Sequence, residues 1–86
     1  MQIIIDPHTL QRANERGASE EEIRETILKG IDEIAKENRK SRSKVIAYNS
    51  YRAGKFYEDK KIQVIFVIEN ENIITITVYV FYGKWI

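Results

Sequence analysis

No cysteine occurs in the 86 residues, which excludes a disulfide framework, thiol catalysis and zinc sites built on Cys ligands. Histidine occurs once, as His8, so any metal site would fall to carboxylates. The three consecutive acids Glu20-Glu21-Glu22 point in different directions if helical and read as a solvated helix start rather than a metal cluster. There is no phosphate-cradling P-loop, no dinucleotide fingerprint and no H-E-x-x-H pair. No cofactor and no metal are therefore expected. Ser19 and Ser43 lack a base nearby in sequence, so a hydrolytic triad gains no support. No apolar run is long enough to span a bilayer, and the opening Met1-Gln2-Ile3-Ile4-Ile5 lacks the basic and long apolar regions of a signal peptide. The expectation is a cytoplasmic protein without a membrane partner. Internal repeats, low-complexity segments and linker-like breaks in composition are also missing.

What is present suffices for one core. A hydrophobic fraction of 43% with 31% charged residues lies outside the regime of disorder, and a chain of this length hides roughly 60 to 65% of its unfolded surface. One domain over residues 1–86 is expected. The net charge of +1 conceals a strong segregation: residues 1–37 carry −4, residues 38–61 carry +6 and the remainder −1. Arg39, Lys40, Arg42, Lys44, Arg52 and Lys55 follow one another with no acid between them, and Lys60 and Lys61 close the block. Such a run is either a solvated face or a polyanion site.

Asp6-Pro7 is a helix-start signal, because the carboxylate can cap free amides and proline at the first helical position loses no hydrogen bond. A first helix runs from there to Arg16 and stops at Gly17. Ser19 and the glutamates after it form a capping box for a second helix ending near Gly30, with Ile23, Thr26 and Ile27 on one face. Residues 31–38 are ambiguous between an extra helical turn and an extended edge. Lys44 to Tyr48 reads as a short strand, Asn49 to Gly54 as a polar turn, and Phe56-Tyr57 as the start of a further extended piece. Ile62–Ile68 and Ile73–Tyr82 are rich in β-branched and aromatic residues and are joined across Glu69-Asn70-Glu71-Asn72, which is hairpin chemistry. The fold class is α+β: two N-terminal helices packed on an antiparallel sheet of about four strands. With Ile68 opposite Ile73, strict alternation places Ile65 opposite Ile76 and Gln63 opposite Val78, an aliphatic face for the helices to cover. Val64, Phe66, Thr75, Thr77 and Tyr79 would then form a free, hydroxyl-bearing face.

His8, Arg12 and Arg16 recur every four residues and form a slowly turning stripe along the first helix, with Leu10, Ala13 and Gly17 on the far side. Arginine forks match phosphate oxygens, and histidine moves its proton most readily near neutral pH. The plainer alternative is a solvated face whose arginines pair with Glu15, Glu20 or Glu22. Tyr48, Tyr51, Tyr57, Tyr79, Tyr82 and Trp85 interleave with basic residues; they either pack in strands or stack bases whose backbone the cations hold.

Residues 7–23 carry the pattern H-x3-R-x3-R-G-A-S-x-E-E-I on His8, Arg12, Arg16, Gly17, Ala18, Ser19, Glu21, Glu22 and Ile23. This start resembles that of small bacterial and archaeal proteins related to the RelE and BrnT toxins, in the fold class shared by barnase and the tRNase colicins. Ile74-Thr75-Ile76-Thr77-Val78-Tyr79 is similar to the group's final strand. The resemblance covers both ends of the chain, while residues 31–60 match only loosely. It implies a metal-independent endoribonuclease, the toxin of a toxin–antitoxin pair, cleaving RNA through the substrate's own 2′-hydroxyl. Carried over, His8 is the acid or base, Arg12 and Arg16 hold the scissile phosphate, and Thr77 and Tyr79 contact ribose or phosphate. Arg39, Lys40, Arg42, Lys44, Lys60 and Lys61 would bind RNA. Other partners in view are an antitoxin protein and a second copy of the chain, paired through the aromatic final strand.

Overall fold

In a computed structural model, residues 1–85 are described. A short strand, β1 (Ile3–Ile4), precedes helices α1 (Pro7–Arg16) and α2 (Glu20–Lys29); strands β2 (Ile31–Glu33), β3 (Lys40–Arg52), β4 (Lys55–Glu69) and β5 (Asn72–Gly83) follow. The order across the sheet is β1-β5-β4-β3-β2. β1 lies parallel to β5 and every other pair is antiparallel. The α+β class is as expected, but the sheet has five strands and is mixed. The expected pieces at Phe56-Tyr57 and Ile62–Ile68 are one strand, β4, and the two shortest strands, β1 and β2, are added, too brief for a periodic pattern to show.

Local signals set the helix ends. The Asp6 carboxylate accepts from the His8 amide at 2.9 Å. Gly17 stops α1 at φ 94°, and its amide donates to the Ala13 carbonyl. Ser19 and Glu22 form a reciprocal capping box at the start of α2. Gly30 ends α2 for a different reason, since its backbone is extended (φ −75°, ψ 174°). A Cβ there would lie 2.4 Å from the Thr26 carbonyl oxygen and 2.7 Å from that of Ser43. Glycine is thus required by the close passage of β3, not by a left-handed turn.

Both long hairpins turn on two residues with positive φ, Ala53 (52°) with Gly54 (80°), and Asn70 (50°) with Glu71 (66°). That geometry matches the right-handed twist of the flanking strands. β3 therefore runs from Lys40 to Arg52, in place of the short strand and broad polar turn expected over residues 44–54. Cross-strand pairing extends over polar positions that a hydrophobic pattern does not mark.

One irregularity decides which face of the sheet is covered. Ile68 pairs with Ile73 and Val67 with Ile74 as expected, but Phe66 pairs with Thr75 and Ile65 with Thr77. Ile76 is an extra residue in β5. A bulge of one residue inverts the alternation beyond it, so Val64 faces Val78 and Ile62 faces Val80. The expected faces are exchanged along β4. The helices cover Ile62, Val64, Phe66, Ile73 and Val78, and add Ala13, Ala18, Ile23 and Ile27 to the same core. Ile23 and Ile27 are completely buried and contribute roughly 1.5–3 kcal/mol each. Thr75, expected on the free face, is buried under α1, where its hydroxyl donates to Thr9 and accepts from the Asp6 amide, both at 2.9 Å. The uncovered face carries Gln63, Ile65, Thr77, Tyr79 and Phe81.

Among the described residues no helix is long and apolar enough to cross a membrane.

Candidate nucleic-acid interface

α1 buries Thr9 and Ala13 against β5, rather than the Leu10, Ala13 and Gly17 side expected from spacing; Leu10 is 37% exposed. The stripe opposite is consequently split. His8 is exposed on the first turn, where its backbone amide donates to the Asp6 carboxylate. Arg12 pairs with Glu15 at 2.8 Å on the helix surface, the arrangement of the plainer alternative. Arg16 is half-buried and turned toward the sheet. His8 and Arg16 are eight residues apart, about 12 Å along the helix axis. Arg12 and Arg16 are held by different partners, Glu15 and the Val78 carbonyl.

Arg16 is brought to a different neighbour. Beyond Thr75, β5 has no strand on its outer side, because β1 pairs only with Ile73 and Ile74. The Arg16 guanidinium reaches this edge, donates to the Val78 carbonyl at 2.7 Å and lies 5.1 Å from the centre of the Tyr79 ring. Val78 points into the core and Tyr79 to the opposite face, so Arg16 wraps the free edge from the helix layer to the uncovered face. Hydrogen-bonding an otherwise unpaired edge carbonyl with a cation both satisfies the oxygen and fixes the cation over the ring.

Around Tyr79 the uncovered face forms a hollow of about 240 Å³ lined by Ile34, Ala35, Lys36, Arg39, Ile65 and Tyr79. The segment after β2, which has no clear periodicity, supplies its wall. Ile34 is 99% exposed and Tyr79 41% exposed. Among the described residues, none of Lys36, Arg39 and Lys40 forms an ion pair. Three cations, Arg16, Lys36 and Arg39, thus surround an exposed aromatic ring. Thr77 precedes Tyr79 by two on the same face, opposite Ile65.

The other residues expected to bind RNA have intramolecular partners. Arg42 bonds to Asp32 at 2.9 Å and to the Ile27 carbonyl, Lys44 to Glu25 at 2.7 Å, Lys60 to Glu22 at 3.0 Å and to the Gly17 carbonyl at 2.8 Å, and Lys61 to Glu33 at 3.2 Å. Arg52 donates to the Glu15 carbonyl at 2.9 Å and Tyr82 to that of Arg16 at 2.6 Å. Arg52, Lys60 and Tyr82 so cap the carbonyl end of α1, where cations are favoured by the helix dipole. Hydrogen bonding from Lys44 lowers the pKa of Glu25 below the ordinary 4.5, with the charge of Lys44 adding to it. The Ser43 hydroxyl, 2.6 Å from Glu33, and then Lys61 do the same for Glu33. Burial raises the pKa of Tyr82.

Lys36, Ile34 and Phe81 join this face without having been among the residues expected there. Phe81 was legible by alternation, two residues beyond Tyr79 on the same face. Lys36 and Ile34 were not, because their positions follow from how the chain after β2 crosses the sheet. Among the described residues no three His, Asp or Glu side chains gather as a metal site.

One family model, that of a Domain of unknown function (DUF4258), matches residues 5–80. No curated protein and no solved structure matches the chain.

Proposed function

This chain belongs to the DUF4258 family of domains of unknown function, and on that premise we propose that it engages single-stranded RNA on the uncovered face of its sheet and cleaves it as a metal-independent endoribonuclease, the toxin of a toxin–antitoxin pair. RNA engagement is carried by the Tyr79 ring, 41% exposed, with the Arg16 guanidinium over it at 5.1 Å and with Lys36 and Arg39, which form no ion pair among the described residues, lining the same hollow. A ring takes a base by stacking while guanidinium and ammonium groups take the flanking phosphates. Cleavage is supported by the resemblance of residues 7–23 to toxin-like proteins and by the meeting of Arg16 with Tyr79, two of the residues that it marks. In this mechanism the 2′-oxygen, its proton passing to a base, attacks the adjacent phosphorus while the bond from phosphorus to the 5′-oxygen breaks and the leaving oxygen takes a proton, so that a 2′,3′-cyclic phosphate remains; Arg16 neutralises the charge growing on the phosphate.

A second reading, a noncatalytic RNA-binding domain, is favoured by the separation of His8 from Arg16 and by the pairing of Arg12 with Glu15. Incubating the purified protein with total RNA in a chelator, beside His8→Ala, separates the two. If His8 is the acid or base, the variant loses about two to four decades of cleavage rate while its thermal transition stays put, since the side chain is exposed. Equal cleavage by both proteins removes His8 from the mechanism. Binding without cleavage by either selects the noncatalytic reading.

A further inference from the structure

The uncovered face carries a second aromatic ring in register with the first. Tyr79 and Phe81 lie two residues apart on β5, 41% and 47% exposed. Their ring centroids are 6.4 Å apart and their planes 26° from parallel. The spacing is that of alternate residues along a strand, well beyond the separation of bases stacked on one another, so two bases resting on these rings must be unstacked from each other. Such an arrangement selects an extended single strand and rejects a duplex, whose bases are hidden between its two backbones.

Cross-strand register supplies the surroundings. Gln63 lies directly opposite Tyr79, and Lys61 directly opposite Phe81. Gln63 donates from its amide nitrogen to Ser41 at 2.9 Å, which fixes the orientation of its carboxamide beside the Tyr79 ring. Arg16 occupies the β5 edge of the platform, and Lys36 and Arg39 stand beyond Ile65. A strand laid along β5 therefore meets two rings with cations on both flanks.

Resting on the RNA reading above, we propose that Tyr79 and Phe81 form a two-base platform that confines the protein to unpaired, extended RNA. The test uses the full chain and a fluorescently labelled hexauridylate with 2′-O-methyl sugars, which lacks the hydroxyl that cleavage would need, alongside a blunt twelve-base-pair RNA duplex. Wild type should bind the hexamer at least about tenfold more tightly than the duplex. Tyr79→Leu and Phe81→Leu keep apolar volume but remove the π-face, and each should weaken hexamer binding about 5- to 150-fold, as expected for one stacked base. Phe81→Trp should restore it. Circular dichroism melting of each variant confirms that folding is intact, both residues being exposed. If Phe81→Leu binds as wild type while Tyr79→Leu and Arg39→Gln are weakened, the platform is overturned and the RNA reading stands. Undetectable wild-type binding to both probes overturns both. A dimer of wild type that Phe81→Leu dissolves, with hexamer affinity unchanged, assigns the ring to self-association and likewise overturns the platform.

Discussion

Gly30 shows how a single atom can be excluded by backbone alone. The carbonyl oxygens of Thr26 and Ser43 that a Cβ would meet belong to a helix and a strand, neither of which can turn aside as a flexible side chain can. Gly30→Ala should therefore destabilise by roughly 1–3 kcal/mol, the range for overpacking, and lower Tm by about 4–8 °C per kcal/mol in a domain of this size. An unchanged melting temperature would show that α2 and β3 separate without cost. Glu25 and Glu33 make a prediction in pH. Their pKa values in the folded protein are lowered by Lys44 and by Ser43 with Lys61 respectively, so each holds its proton less tightly folded than unfolded. Their contribution is full above the ordinary glutamate value of 4.5 and is lost as pH falls through the lowered folded values. Urea titrations from pH 7 to pH 3 should show stability declining below about pH 4.5, with a shallower decline in the double variant Glu25→Gln/Glu33→Gln. Parallel curves would mean that these pairs form equally in the unfolded chain.

The hairpin between β4 and β5 places Glu71 at φ 66°, a left-handed conformation that side chains bearing a Cβ rarely adopt. Asn-Gly is the preferred pair for such a turn. Glu71→Gly should raise stability by roughly 0.5–1 kcal/mol, because relief of left-handed strain outweighs the added freedom of the unfolded chain. Thermal melting checks it, and a lower Tm would indicate that Glu71 makes a compensating contact in solution. The same strand holds the bulge at Ile76, whose effect is larger than that of any turn. It sends Val78 and Val80 to the helices and Tyr79 and Phe81 to the free face. The same β5 sequence paired in strict alternation, without the bulge, would direct Tyr79 and Phe81 into the core.

Across the molecule, the segregated charge works mainly within the fold. The acidic residues of α2 and β2 meet the basic residues of β3 and β4 in four cross-element pairs, Glu22–Lys60, Glu25–Lys44, Asp32–Arg42 and Glu33–Lys61. Two pairs of neutralising substitutions distinguish this role from contact with RNA. Lys36→Gln/Arg39→Gln should leave Tm unchanged but flatten the slope of log affinity against log salt by about 1.4, at 0.7 for each phosphate contact to a single strand. Arg42→Gln/Lys44→Gln should leave the slope alone and lower stability, chiefly through loss of the charged hydrogen bond from Arg42 to the Ile27 carbonyl, a contact of roughly 1.5–3 kcal/mol. The ion pairs themselves add little where they are exposed. Identical salt slopes for wild type and the first variant would mean that Lys36 and Arg39 are solvated.

Local chemistry alone determined much of this protein. Asp6-Pro7, Gly17 and the Ser19–Glu22 box fixed two helices, and β-branched runs around Asn70-Glu71 fixed the last hairpin, because caps and tight turns are satisfied by neighbours in sequence. Only the tertiary structure decided which face of the sheet is free, since one unpaired residue, Ile76, inverts an alternation that reads without interruption in the sequence. The site followed the same division. Arg16, Tyr79 and Arg39 were legible as residue types suited to phosphate and base. Their meeting was not, for it depends on a guanidinium finding an edge carbonyl that β1 leaves unpaired and on the segment after β2 crossing toward β5. The basic block was legible as charge, but its use was not: which lysines and arginines remain unpaired is set by where the acidic helix lands, a contact between residues distant in sequence.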